Sequence, residues 1–153
     1  PAKLSGVYGH RLEKPSSPLV RGLDDRFFAV HSRYTGVDED AVREHPELEV
    51  IASSDEAGLY LVKSLDSRRF FVFGHPEYDA DTLRLEYERD VRAGIDPDVP
   101  VNYFPDDDPA REPLCSWRAQ AQLLYTNWLN YYVYQTTPYD IDAIGEKEEA
   151  ERS

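Results

Sequence analysis

The sequence has no methionine and one cysteine, and its basic residues are in the minority, 17 Lys+Arg against 30 Asp+Glu for a formal net charge of −13. A single thiol, Cys115, cannot form an intrachain disulfide, so a disulfide scaffold is excluded. The acidic balance argues against a partner made of phosphates, whether nucleic acid or an anionic membrane surface, because both are repelled. No apolar run approaches the ~18–20 residues of a membrane-spanning helix. The first six residues, Pro1-Ala2-Lys3-Leu4-Ser5-Gly6, lack the apolar stretch of a secretory signal. A reducing, aqueous compartment, the cytoplasm, is the resulting expectation. Gly-x-Ser-x-Gly, a Walker loop and a dinucleotide fingerprint are also missing.

What is present suits a folded domain. The 153 residues are 41% hydrophobic, with two Trp, eleven Tyr and six Phe, which is ample core material. The first half reads as short extended segments: Phe27-Phe28-Ala29-Val30-His31, then 48–52, 58–62 and 69–73, with turns of hairpin length between the later ones. Asp38 to Asp40 starts a short helical turn that His45-Pro46 stops. The second half is helical. Asp79 or Asp81 is expected to cap a helix running to about Ala93, with Gly94 as the stop, Leu83, Tyr87 and Val91 as its buried stripe and Arg84, Glu86, Glu88 and Asp90 facing elsewhere. A longer helix is expected over 113–134, with Trp117, Ala121, Leu124, Trp128 and Tyr132 on one face. The tail 142–153 has no apolar stripe and is expected to be disordered. Strands followed by packed helices predict an α/β layer architecture.

The most informative segment is Phe70-Phe71-Val72-Phe73-Gly74-His75-Pro76-Glu77-Tyr78-Asp79. It reads as an apolar strand, buried on both faces, that delivers a His and a Glu just before a helix. Ligands of open α/β sheets bind at such strand ends. Residues two apart in an extended segment share a face, so Glu77 can orient His75 as a general base. The same residues suit a capping His and a helix-start Glu with structural roles only. Both readings stand on spacing alone. A metal site built from His75, Glu77 and Asp79 is the weaker alternative, because no second His is nearby. Cys115 has no Gly-rich elbow before it and reads as a helix-start residue rather than a nucleophile.

His31-Ser32-Arg33-Tyr34 gathers polar groups at a second strand end, suited to an anionic or hydroxylated ligand or to a satisfied turn. His10 and His45 read as surface residues. Arg89 is either the partner of a ligand carboxylate or an ion pair with Glu86 or Glu88. Asp106-Asp107-Asp108 reads as a solvated loop.

These segments match a known family. Lys3-Leu4-Ser5-Gly6-Val7-Tyr8, His31-Ser32-Arg33-Tyr34, Gly74-His75-Pro76-Glu77-Tyr78-Asp79, Asp96-Pro97-Asp98-Val99-Pro100 and Asn102-Tyr103-Phe104-Pro105 carry the first part of the likeness. Ser116-Trp117-Arg118, Thr126-Asn127-Trp128-Leu129-Asn130-Tyr131-Tyr132-Val133-Tyr134-Gln135 and Thr137-Pro138-Tyr139-Asp140 complete it. Together they make the chain resemble the homoserine O-acyltransferases of the transsuccinylase type. The resemblance implies a flavodoxin-like α/β fold similar to class I glutamine amidotransferases, with residues 1–141 as its C-terminal portion. It implies a Cys–His–Glu triad in which His75 is the general base and Glu77 the orienting acid. Lys3, Ser32 and Arg89 match substrate-contacting positions. Homoserine and acyl-CoA are the implied substrates, an acetyl or succinyl group passing through a Cys thioester in methionine biosynthesis, with no cofactor, no metal and a homodimeric assembly. The nucleophilic Cys, the sheet core around it and the oxyanion-hole donors belong to an N-terminal half that this sequence lacks, so the isolated chain is expected to be inactive. The competing expectations are a non-catalytic amino-acid-binding or interaction module and a hydrolase using Cys115.

Overall fold

The computed structural model describes residues 3–136. The motif at 137–140 and the charged tail at 142–153 lie outside the described residues. Five strands, β1 (Leu4–Leu12), β2 (Arg26–Arg33), β3 (Leu48–Ser54), β4 (Gly58–Ser64) and β5 (Phe70–Val72), form one sheet in the order β2-β1-β3-β4-β5. All neighbouring strands are antiparallel. The α/β class expected from the sequence holds, and this chain contributes a curled antiparallel sheet to it.

Local chemistry explains most of the boundaries. Asp38 caps α1 (Glu39–Glu44) by accepting a hydrogen bond from the Ala41 amide at 3.0 Å, and the helix ends at His45 before Pro46. The β3–β4 turn is held by Ser54 Oγ, which accepts from the Glu56 and Ala57 amides. The helix α2 (Thr82–Arg92) stops where Gly94 takes φ +75°, its amide donating to the Val91 carbonyl while Ile95 donates to that of Asp90. Asp81 occupies the cap position of this helix but makes no side-chain capping bond.

The inward face of α2 differs from the expected stripe. Leu83 is buried, but Val91 is 48% exposed and Asp90 takes the buried place. Leu83, Glu86, Tyr87 and Asp90 follow the i, i+3, i+4, i+7 spacing of one helical face. That face packs beside Val7, Val30, Tyr103, Phe104 and Trp117. The long helix expected over 113–134 is shorter: α3 (Arg118–Trp128) runs into a π-helical turn (Leu129–Val133) and a final turn, α4 (Tyr134–Thr136). Residues ahead of α3 are irregular because they serve as an anchor. The Leu114 amide donates to the Tyr103 carbonyl, and the buried Trp117 indole donates to the Tyr78 carbonyl at 3.0 Å. Cys115 therefore lies in this anchor and not at a helix start.

On the other side of the sheet, Leu124 of α3 packs on Leu19, Phe27, Ala29, Ile51 and Leu61. Asn127 ties that helix down by donating to the Leu19 and Arg21 carbonyls. Two expectations are corrected. His10 is 2% exposed rather than at the surface, because β1, a strand the sequence reading did not draw, turns Tyr8 and His10 inward while Gly9 and Arg11 face out. The strand before His75 is an edge strand, with Phe71 and Val72 each 40% exposed, because among the described residues only β4 pairs with it.

Candidate active site

The sheet places His75 by its backbone before any side chain acts. Gly74 lets the chain pass close to β2 and β4, since a Cβ there would sit 2.6 Å from the Val30 carbonyl oxygen and 2.8 Å from the Tyr60 ring. The next amide, that of His75, donates to the same Val30 carbonyl at 2.8 Å. Pro76 then restricts His75 to an extended conformation. The imidazole Nδ1–H donates to Glu77 Oε1 at 2.8 Å, and Nε2 lies 3.3 Å from the Ser32 carbonyl oxygen. Tyr78 stacks on the ring at 4.3 Å between centroids and 22° between planes. His75 and Glu77 remain open to solvent, with side chains 34% and 54% exposed. A carboxylate on one nitrogen fixes the tautomer and leaves the other nitrogen for proton transfer.

A second group of polar side chains adjoins this pair. Glu86, on the inward face of α2, accepts from Lys3 Nζ at 2.8 Å, from Ser32 Oγ at 2.5 Å and from the Tyr78 hydroxyl at 2.5 Å. Burial alone raises its carboxyl, but the bonds from Lys3, Ser32 and Tyr78 outweigh it and hold the group below the usual carboxylate value. Burial and the Glu86 carboxylate push the Tyr78 phenol up to about 12. Arg89 donates twice to Asp90, at 2.9 and 2.7 Å, and Asp90 also lies 3.7 Å from Lys3. Lys3 stands over the Tyr34 ring at 5.9 Å, and a pocket of about 290 Å³ opens beside Lys3, Tyr34 and Asp90.

The five candidates drawn from sequence are thus joined in two linked groups. His75 and Glu77 form one, Lys3, Ser32 and Arg89 gather around Glu86 and Asp90 in the other, and Tyr78 touches both. Arg89 pairs with Asp90 rather than with Glu88. Glu86 and Asp90, expected to face away from the buried stripe, face inward instead, and their spacing carried the signal: two carboxylates four apart, in helical phase with Leu83. Replacing Glu86 by Ala removes the shared acceptor of three donors. It is expected to cost about 2 kcal/mol, read as a lower urea midpoint at unchanged slope. A midpoint within error of the parent chain contradicts this role.

Beneath the pair lies a feature that sequence reading also missed. His10 and His31 stack at 5.0 Å and 10°, with their Nε2 atoms 3.0 Å apart. His10 Nδ1 lies 2.9 Å from the Tyr8 carbonyl, which only accepts, so this nitrogen carries the proton and His31 Nε2–H donates to His10 Nε2. Both rings are buried, and among the described residues His31 Nδ1 has no hydrogen-bond partner. Among the described residues no group of three or more His, Cys, Asp or Glu is placed to hold a metal ion. No helix among them is long and apolar enough to cross a membrane.

Comparison with known proteins adds to this geometry. The chain is 58% identical over 142 residues to the homoserine O-acetyltransferase of Lachnospira eligens, covering 93% of this chain and 46% of the relative. It is 56% identical over 145 residues to the homoserine O-succinyltransferase of Tolumonas auensis, covering 95% and 46%. The corresponding enzyme of Photorhabdus laumondii is 58% identical over 139 residues, covering 91% and 45%. The chain therefore spans about half the length of the curated relatives it matches. Its fold is shared with the crystal structure of SMU.1228c, with a TM-score of 0.53 and 16% identity over 83% of this chain and 51% of that one. Residues 1–139 match the family model described as homoserine O-succinyltransferase, and the chain belongs to that family.

Proposed function

We propose that this chain is the base-bearing and substrate-recognising portion of a homoserine O-acyltransferase that activates homoserine for methionine biosynthesis. The observation that carries the reading is the His75–Glu77 contact at 2.8 Å, held at a strand end beside the Lys3, Ser32 and Arg89 group. The nucleophilic Cys and the oxyanion donors are assigned to the part of the family's length that this chain does not span. In that scheme the Cys thiolate attacks the acyl-CoA carbonyl, the carbon–sulfur bond to CoA breaks and protonated His75 gives its proton to the departing thiolate. Homoserine then enters. His75 Nε2 takes the hydroxyl proton as the oxygen forms the ester bond and the enzyme thiolate leaves. Glu77 holds the ring in the orientation both steps need and fixes the tautomer of the neutral imidazole that takes the homoserine proton. Arg89 suits the homoserine carboxylate and Glu86 its ammonium, each exchanging a protein partner for the substrate.

The reaction needs no cofactor beyond the acyl-CoA co-substrate, and its setting is the cytoplasm. Relatives named for acetyl and for succinyl transfer match at comparable identity, so acetyl-CoA and succinyl-CoA are both candidate donors. The test assays CoA release and acyl-homoserine formation with acetyl-CoA and with succinyl-CoA. The 153-residue chain alone is expected to give no turnover. Turnover is expected when it is mixed with the separately expressed portion of the Lachnospira eligens relative that lies outside the match. Acyl-homoserine from the chain alone, or none from a mixture shown to form a complex, refutes the assignment.

A further inference from the structure

The turn that carries the base also carries a tyrosine that reaches the amino-acid group. The Tyr78 amide donates to the His75 carbonyl at 3.3 Å, and the Tyr78 carbonyl accepts from the buried Trp117 indole at 3.0 Å. Its ring packs against the apolar cluster that holds Val30, Leu83 and Trp117, and lies on the His75 imidazole with 4.3 Å between centroids and 22° between planes. At the end of the same ring the hydroxyl donates to Glu86 Oε1 at 2.5 Å. Lys3 and Ser32 both donate to the other oxygen, Oε2. A carboxylate oxygen accepts about two hydrogen bonds, so Oε2 is filled, and among the described residues Tyr78 alone holds Oε1. Burial and the Glu86 carboxylate push the phenol up to about 12, so it remains a donor throughout the range in which an imidazole titrates.

We propose that Tyr78 is a positioning residue that sets the distance between the amino-acid group and the base, and that it thereby selects an amino acid with a γ-hydroxyl over one with a β-hydroxyl. The roles of His75 and Glu86 in this are those of the proposed function, on which the assignment rests. A phenol ring is rigid, so the imidazole on its face and the carboxylate at its hydroxyl are held at one separation. Glu77 bonds the imidazole at Nδ1 only, which leaves the tilt about that bond to the stack. Tyr78 is also the partner least able to leave Glu86. Lys3 is a cation on a flexible stem, which an incoming ammonium replaces charge for charge at Oε2. Withdrawing Tyr78 instead breaks the stack and pulls a packed ring from its cluster. An amino acid whose ammonium sits at Glu86 therefore meets Nε2 across a span that Tyr78 fixes. Homoserine and serine differ in that span by one methylene. In an apolar pocket a methylene is worth about 10- to 200-fold. Here it also moves the hydroxyl by about 1 Å relative to the base, a misplacement that costs about 100-fold in rate.

The test compares Tyr78→Phe, which keeps the ring and loses the hydroxyl, with Tyr78→Leu, which loses both, in the complex with the remaining portion of the Lachnospira eligens relative. Tyr78→Phe is expected to raise KM for homoserine about 10-fold, with kcat within about threefold of the parent complex. Tyr78→Leu is expected to lower kcat about 30-fold as well, and to narrow the preference for homoserine over L-serine, as a ratio of kcat/KM values, by about 10-fold or more. A purely structural role gives a different pattern, because less folded complex lowers the apparent kcat for both amino acids and leaves KM and the ratio alone. That pattern, or parent kinetics in both variants, overturns the proposal. The stack is read without an acyl donor in the 153-residue chain, from the NMR signal of the proton on His75 Cε1. Ring current over a stacked face holds it upfield of the corresponding signal of the exposed His45 in the parent chain and in Tyr78→Phe. Should Tyr78→Leu form no complex, a parent KM in Tyr78→Phe, or a His75 signal in the parent at the His45 position, overturns the proposal. A parent complex that transfers no acyl group refutes the function whatever the signal. Turnover with the His75 signal at the His45 position refutes the spacer and leaves the function intact.

Discussion

Acidifying the protein from pH 6.5 to pH 4 is expected to remove on the order of 5 kcal/mol of folding stability, enough to unfold a typical domain. The cause is the buried His10–His31 pair. Burial is the main reason that His10 is lowered to about 4 and His31 to about 3, from an ordinary value of 6.5. For His31 the charges of His10, Arg33 and His75 lower it further, and the Phe73 backbone opposes them. Tyr8 contributes a carbonyl on one side, and the Tyr60 and Phe27 rings close the others without offering a charge. In the unfolded chain both imidazoles bind protons as the pH drops below 6.5, while in the folded chain they do not until about 4 and 3. The unfolded state therefore holds up to two more protons in this window. Each contributes about 1.4 kcal/mol per pH unit, with the coupling between the rings reducing the sum. The stability is present above pH 6.5 and is lost as the pH falls toward the folded values. Urea melts at about pH 7, 5.5 and 4.5 measure the slope, and the double variant His10→Phe/His31→Phe should flatten it whatever its absolute stability. A parent chain as stable at about pH 4.5 as at neutral pH refutes the role of the pair.

That pair shows where sequence reading reached its limit. The alternation Tyr8-Gly9-His10-Arg11-Leu12 is a strand signal, yet His10 sits among polar neighbours, and its partner is 21 residues away on β2. Only the pairing of β1 with β2 brings the two rings together. The same reason hid Glu86. Val91 is the more apolar residue, so hydrophobicity put it on the buried stripe of α2, but Lys3, 83 residues earlier, supplies the charge that makes an inward carboxylate stable. The hairpin strands, the α1 cap and the Gly94 stop were legible because turns and caps are local chemistry. His75 and Glu77 were legible as a pair because their spacing is local, although they meet across a turn at Pro76 and Glu77, closed by the Tyr78 amide on the His75 carbonyl, rather than along an extended segment. The β5 edge was not. Its apolar composition reads as a strand buried on both faces, whereas the exposure of Phe71 and Val72 is set by the sheet order, in which β5 pairs with β4 alone among the described residues.

The largest functional effect is expected at His75. In the complex of this chain with the remaining portion of a relative, His75→Ala should lower kcat for acyl transfer about 1000-fold, the usual range for losing a general base. Folding should be nearly unchanged, because the imidazole is partly open to solvent and its amide keeps the bond to Val30. Glu77→Gln separates orientation from charge. The amide oxygen can still accept from Nδ1–H, so the ring keeps its tautomer, but the negative charge that stabilises the imidazolium formed in each proton transfer is gone. On the proposed role, in which Glu77 acts through His75 and not on the bound amino acid, a drop of roughly 10- to 100-fold in kcat with little change in KM for homoserine is expected. Arg89→Lys should show the opposite split. Its five-donor planar fork is lost while a cation remains, so KM for homoserine rises with a smaller change in kcat. If His75→Ala retains turnover within about threefold of the parent complex, the base lies elsewhere, and the 2.8 Å contact with Glu77 is then a structural cap on the turn into α2.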